Sequence, residues 1–195
     1  MIRKVMKLLS ERTDLGKLDA LDPFAREGDW HTRYWSSLVR SLTLWEILPQ
    51  HEKALRRNFP EAVVKITDSY QEVKRTDQRF DLIVLDNDMT RTDHIEHFDL
   101  FPEIYRTLNR GPVYIVRNVI ENPSLHRGWA AEEVKEARKR FYGHGSEVVP
   151  IPVMARTYAR LAEENGFQIT WSCIAPRNEA ICYYAEELVR IARPC

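Results

Sequence analysis

The chain has no excess of either charge: 29 lysine and arginine residues balance 29 aspartate and glutamate residues over 195 positions. No bulk field therefore favours nucleic acid or a membrane surface, although local basic patches stay open. Cysteine is scarce. Cys173, Cys182 and Cys195 form neither a CxxC pair nor an even framework, which suits a reducing cytoplasm. Cys173 and Cys182 lie in apolar, alternating surroundings and read as small buried hydrophobes. No stretch approaches the ~20 apolar residues that a membrane span needs. Internal repeats, low-complexity tracts and an interdomain linker are all missing. The basic start, Met1 to Ser10, is like that of a signal peptide, but Lys7 interrupts its apolar positions and no long apolar core follows. It reads as an amphipathic leading helix within residues 1–17.

What is present is an ordinary globular composition, 44% hydrophobic and 30% charged, in a length that suits one domain with a real core. Strand-like segments run Asp19 to Phe24, Leu42 to Ile47, Ala62 to Thr67, Phe80 to Asp86 and Val113 to Asn118. The fourth is a near-continuous apolar run, as a strand buried on both faces should be. Helical spacing links Tyr34, Trp35, Leu38, Val39 and Leu42, and again Ile95 through Leu108. Further helices are expected at Gln50 to Asn58, Ala130 to Tyr142 and Val153 to Asn165, the last closed by Gly166. Phe167 to Ile174 and Glu179 to Ala185 read as an antiparallel hairpin. Alternating strands and helices imply a parallel sheet. The expectation is a single α/β domain over residues 1–195, a Rossmann-like, doubly wound, seven-stranded sheet. It is mostly parallel with an antiparallel C-terminal hairpin strand, and residues 121–152 form an inserted, lid-like segment.

The chemistry gathers at the strand ends. Asp22, Glu46, Asp68 and Asp86 each close a strand, so all four fall at one edge of the sheet. The turn Asp22-Pro23-Phe24-Ala25-Arg26-Glu27-Gly28 leaves the first strand, where open α/β sheets bind nucleotide-like ligands. Backbone N–H groups of such a turn can face a ligand carboxylate. A carboxylate about 20 residues further on can accept both ribose hydroxyls, and Glu46 meets that spacing from Gly28. Three acids in succession suit a cationic, phosphate-free ligand carrying a sulfonium and an ammonium. Taken singly, each acid serves equally well as a helix cap. A dinucleotide enzyme needs a GxGxxG turn that is absent.

In the order of these features the chain resembles the class I S-adenosylmethionine (AdoMet)-dependent methyltransferases. Leu21 to Gly28 looks like the family's first motif, and Leu44-Trp45-Glu46-Ile47-Leu48-Pro49 like its second. Thr67-Asp68-Ser69 is placed like the third, and Asp81 to Asp88 like the fourth. Asp-Pro-Phe-Ala-Arg is similar to phage-borne, DNA-methyltransferase-like members. The resemblance implies an AdoMet-dependent methyltransferase, with Asp22, Phe24, Ala25, Gly28, Glu46, Ile47, Asp68, Ser69 and Asp86 around the cofactor. Glu46 would bind the ribose and Asp68 the adenine amino group. Asp86, Asn87 and His94 would position or activate the acceptor. The alternative is a non-catalytic binding or assembly subunit of the same fold.

Two departures bear on this. Arg26 stands where the family's first glycine usually lies. Asp86-Asn87-Asp88-Met89 is not the Asp/Asn-Pro-Pro-Tyr/Phe of amino-methylating nucleic-acid enzymes. The acceptor, nucleic acid or small molecule, is therefore open, as is the oligomeric state. Asp86, Asp88 and Asn118 are placed like the magnesium ligands of catechol O-methyltransferases, but Arg117 holds the position of an acidic ligand, and no metal is expected. His31, His94 and His97 flank the ligand-side loops and are either bases or solvated loop residues. Trp30, Tyr34 and Trp35 are stacking candidates whose spacing favours core packing. Lys135, Arg138, Lys139 and Arg140 form a stripe that reads as a salt-bridged, solvated face.

Overall fold

The computed structural model describes residues 2–86, 95–125 and 132–191. The leading helix α1 (Ile2–Ser10) buries Ile2, Val5, Met6 and Leu9, the one-sided spacing of an amphipathic helix. Seven strands follow: β1 (Asp19–Asp22), β2 (Ser41–Glu46), β3 (Val63–Ile66), β4 (Leu82–Leu85), β5 (Val113–Ile120), β6 (Phe167–Pro176) and β7 (Ile181–Arg190). They form one sheet in the order β3-β2-β1-β4-β5-β7-β6. β1 through β5 pair in parallel, while β7 runs antiparallel to both β5 and β6. The Rossmann-like expectation holds.

Strand alternation divides the core. Leu21, Ile83, Leu85 and Ile115 face one side, against α3 (Ser69–Arg75), α5 (Ile151–Glu164) and the aromatic residues Phe101, Tyr105 and Tyr158. Ala20, Leu82, Val84, Tyr114 and Val116 face the other, against α1, Trp35 and Leu55 of α2 (Glu52–Asn58). All four residues of β4 are buried, which explains its unbroken apolar sequence.

Several connections differ from the sequence reading. Between β1 and β2 lie two 3-10 turns, Thr32–Tyr34 and Ser36–Leu38, instead of a helix. Trp35 separates them with φ −133° and is fully buried, whereas Trp30 is 67% exposed. The segment before β5 is likewise two 3-10 turns, Ile95–Leu100 and Glu103–Thr107. Pro102 lies between them and lacks the N–H that a continuous helix requires. The α3 helix was not expected: Asp68 caps it by accepting the Tyr70 N–H at 2.9 Å.

In α4 (Glu132–Tyr142), Lys135 and Lys139 pair with Glu132 and Glu136 on a wet face. Arg138 departs from that stripe. It is buried and donates to the carbonyls of Ile120, at 2.6 Å, and Glu147, at 3.1 Å. Those bonds tie the start and end of the 121–152 segment to its helix.

Candidate functional site

The parallel strands change direction of succession between β1 and β4, the topological switch point at which open α/β sheets bind ligands. A cleft of about 330 Å³ opens there, lined by residues of the turn after β1 together with Asp86 and Arg177. Three stretches distant in sequence build it: the segment 24–32, the end of β4 and the β6–β7 turn.

The first wall is held from within. Glu46, buried at the end of β2, accepts the Arg26 N–H at 2.7 Å with Oε2 and the Leu48 N–H at 2.8 Å with Oε1. Ala25 N–H donates to the Trp45 carbonyl and Gly28 N–H to the Ala25 carbonyl. Phe24 N–H donates to Asp22. Four N–H groups of the turn are thus directed into the protein, so they do not form the open cradle for a ligand carboxylate expected from the sequence.

Gly28 has φ +70°, and an added Cβ would come 2.0 Å from the Phe59 ring. Only glycine fits. Arg26 also has positive φ, at 48°. Its exposed side chain reaches to within 3.7 Å of Glu27. The arginine therefore occupies a glycine-like conformation, and the residue lines the cleft.

Asp86 is the hub of the opposite wall. Its side chain is 2% exposed. Oδ1 accepts from Asn118 Nδ2 at 2.9 Å and lies 3.3 Å from Arg177 Nε. Oδ2 accepts from the Tyr183 hydroxyl at 2.7 Å and lies 3.1 Å from His31 Nδ1. Arg177 also lies 3.2 Å from His31 Nε2. A guanidinium only donates, so Nε2 accepts this bond and the proton resides on Nδ1, facing Asp86.

Electrostatics separate the two walls. Burial pushes the Asp22 carboxyl up to about 7, with Asp86 and Glu46 adding to the effect and the Thr32 hydroxyl and Phe24 N–H opposing it. Thr32 donates to Asp22 at 2.6 Å. Burial holds His31 below its usual value, with Arg177 acting in the same direction and Asp86 against it. The imidazole is accordingly neutral near pH 7.

The remaining candidates are scattered around this centre. Asp68 sits at the carboxyl end of β3 as the α3 cap, and the Ser69 hydroxyl donates to the Pro23 carbonyl. Phe24 stacks on His97 with ring centroids 4.3 Å apart, and the Tyr70 hydroxyl lies 2.8 Å from His97 Nδ1. Ile47 is exposed beside Glu46. Asn87 and His94 lie outside the described residues.

Among the described residues, no group of three or more His, Cys, Asp or Glu side chains is arranged to hold a metal ion. Arg117 is buried away from any such role. It pairs with Glu186 and lies 3.9 Å from the Tyr158 ring centroid. Arg177 and Tyr183 are the site residues that the sequence did not single out. The only signal for them was a Pro-Arg-Asn turn at the hairpin tip.

The Rossmann-like fold is shared with solved structures of methyltransferases that superpose over nearly the whole chain. Ribosomal protein L11 methylase from Lactobacillus delbrueckii subsp. bulgaricus is 17% identical with a TM-score of 0.56, covering 97% of this chain and 78% of that one. TYW2 from M. jannaschii, crystallised in complex with AdoMet, is 13% identical at 0.58, covering 97% and 74%. The N-methyltransferase NodS from Bradyrhizobium japonicum is 14% identical at 0.55, covering 96% of each chain. Neither a family model nor a curated protein sequence matches the chain. Among the described residues, no helix is long and apolar enough to cross a membrane.

Proposed function

We propose that this chain is an AdoMet-dependent methyltransferase whose methyl donor occupies the cleft at the carboxyl ends of β1, β2 and β4. One observation carries the reading. Asp22, Glu46 and Asp86 gather at the switch point of the sheet, and the Asp22 carboxyl, raised to about 7 chiefly by burial, is raised further by the other two carboxylates. Such a surplus of negative charge is relieved by a cationic ligand and aggravated by a phosphate.

The residues present fit AdoMet, which supplies an electrophilic methyl group on a sulfonium. One Glu46 oxygen accepts from the Arg26 N–H of the turn and the other from the Leu48 N–H, and each keeps a second acceptor position for a ribose hydroxyl. Exposed Ile47 offers an apolar flank for the adenine, and Asp68 an acceptor for its amino group. Phe24, Ala25, Gly28 and Ser69 shape the wall behind them. Because the turn's N–H groups point inward, the Arg26 guanidinium takes over as partner for the ligand's carboxylate. The chain's own work is alignment and exclusion of water. The 121–152 segment leaves the carboxyl end of β5 and acts as the lid over the acceptor, with Asn87 and His94 completing the acceptor side.

Mass spectrometry of the purified protein tests the proposal: AdoMet or its demethylated product should copurify, and should be lost in Glu46→Ala. A second reading, a non-catalytic subunit of the same fold, draws on Asp86, whose two oxygens already contact four side chains. A methylated product that disappears with Glu46→Ala excludes it.

A further inference from the structure

Among the described residues, His31 is the one titratable base in the cleft whose two nitrogens have separate, defined surroundings. Nδ1 faces Asp86 Oδ2 at 3.1 Å and the Tyr183 hydroxyl at 3.2 Å. Nε2 faces the Arg177 guanidinium at 3.2 Å. Asn118 and Tyr183 fix the Asp86 carboxylate from β5 and β7, so it cannot turn away from the imidazole. A carboxylate behind Nδ1 sets the tautomer and stabilises an imidazolium when Nε2 takes a proton, the arrangement that general bases in acyl transfer also use.

We infer that His31, oriented by Asp86, is the general base for methyl transfer to a phenolic hydroxyl, with Arg177 supporting the acceptor oxygen as its proton leaves. The inference rests on the methyl-transfer reading above and deepens it. An acceptor hydroxyl entering between Nε2 and Arg177 replaces one hydrogen bond with two, donating to the imidazole and accepting from the guanidinium. A neutral amine needs no base before attack, and a protonated one meets the like charge of Arg177. Trp30 points to an aromatic acceptor: it is 67% exposed in the cleft lining, with its ring centroid 5.5 Å from that of His31. A flat, wet indole beside a base is a platform for a planar ring.

The step balances. The hydroxyl proton moves to His31 Nε2, and an oxygen lone pair forms the new bond to the methyl carbon. The carbon–sulfur bond breaks with its electrons going to sulfur, leaving a neutral thioether. The imidazolium then releases its proton to water. His31 begins neutral because burial and Arg177 outweigh Asp86, which is the form a base requires.

The test uses the full chain with S-adenosylhomocysteine and 4-nitrophenol, whose phenolate absorbs visibly. Wild-type protein should produce the phenolate band roughly one pH unit below the ionisation of the free phenol. His31→Gln should abolish that shift while leaving AdoMet binding intact, and Arg177→Gln should reduce it. With AdoMet, 4-nitrophenol should be methylated and benzylamine should not.

AdoMet binding without a phenolate shift at millimolar phenol, or methylation of benzylamine in preference, overturns the inference and leaves the methyltransferase reading standing. Absence of AdoMet binding overturns that reading, and this inference with it. Should His31→Gln fail to fold, nitrogen-15 NMR of the wild type decides. A proton on Nε2 of His31 at pH 7 contradicts the assignment, and one on Nδ1 supports it.

Discussion

Replacing Asp22 with asparagine should remove a large pH dependence from the stability of the fold. The carboxyl is buried behind Thr32, and its folded value is about 7 against an ordinary 3.8. Because the folded value is raised, the protonated carboxyl stabilises the native state fully below pH ~3.8, and that contribution is lost as the pH climbs through about 7. About 3 units at ~1.36 kcal/mol each correspond to about 4 kcal/mol. Asparagine keeps one acceptor for the Phe24 N–H or the Thr32 hydroxyl and does not titrate.

Urea unfolding of both proteins should therefore show Asp22→Asn less stable by about 1 kcal/mol near pH 4, the cost of one imperfect hydrogen bond. It should be more stable than the wild type near pH 8. The difference between the two curves should move by about 4 kcal/mol across that interval. A difference constant to within about 1 kcal/mol would show that Asp22 is not pressed by burial and by its neighbouring carboxylates, and the charge argument for a cationic ligand would fail. The same coupling predicts proton release when AdoMet binds near pH 7, read as a buffer-dependent heat that Asp22→Asn lacks.

Other substitutions probe the two walls and the core separately. Arg26→Gly relieves a positive φ of 48° and should raise stability by about 1 kcal/mol, while weakening AdoMet binding through loss of the guanidinium; equal affinity would remove Arg26 as the carboxylate partner. Gly28→Ala meets both a strained φ and the Phe59 ring. It should cost at least about 2 kcal/mol in denaturant melts, and pairing it with Phe59→Leu should recover only part of that. Arg117→Met leaves Glu186 buried without its cation, for a loss of about 3–5 kcal/mol. Arg117→Met with Glu186→Leu should restore most of it, and a double variant no better than the single would show that the aromatic contacts of Arg117 dominate.

The sheet was legible where its strands carry a distinct pattern. Leu82 to Leu85 is apolar on both faces, and β6 alternates. Connections were less legible. Tyr34, Trp35 and Leu38 have helical spacing, yet the segment turns twice to seat Trp35 in the core. The α3 helix is only seven residues, too short for periodicity to register, although Asp68 before it is a sound cap.

Acids at strand ends could be placed from sequence because the strand ends themselves could. Two partners of Asp86 could not. Arg177 and Tyr183 lie 146 and 152 residues beyond His31, and only the antiparallel return of β7 along β5 brings them to that edge. Nor does sequence show that Glu46 is satisfied by the turn it follows in space, or that Arg138 in a charged stripe turns inward to backbone carbonyls.

Calorimetric titration of the full chain with AdoMet, beside Glu46→Ala, tests the central claim most directly. Glu46 is the acid that both ties down the first turn and offers acceptors to the ribose. The wild type should bind below millimolar concentration, and Glu46→Ala at least about tenfold more weakly, a difference of about 1.4 kcal/mol or more. No heat of binding to the wild type at millimolar AdoMet, with the fold intact by circular dichroism, would contradict the account.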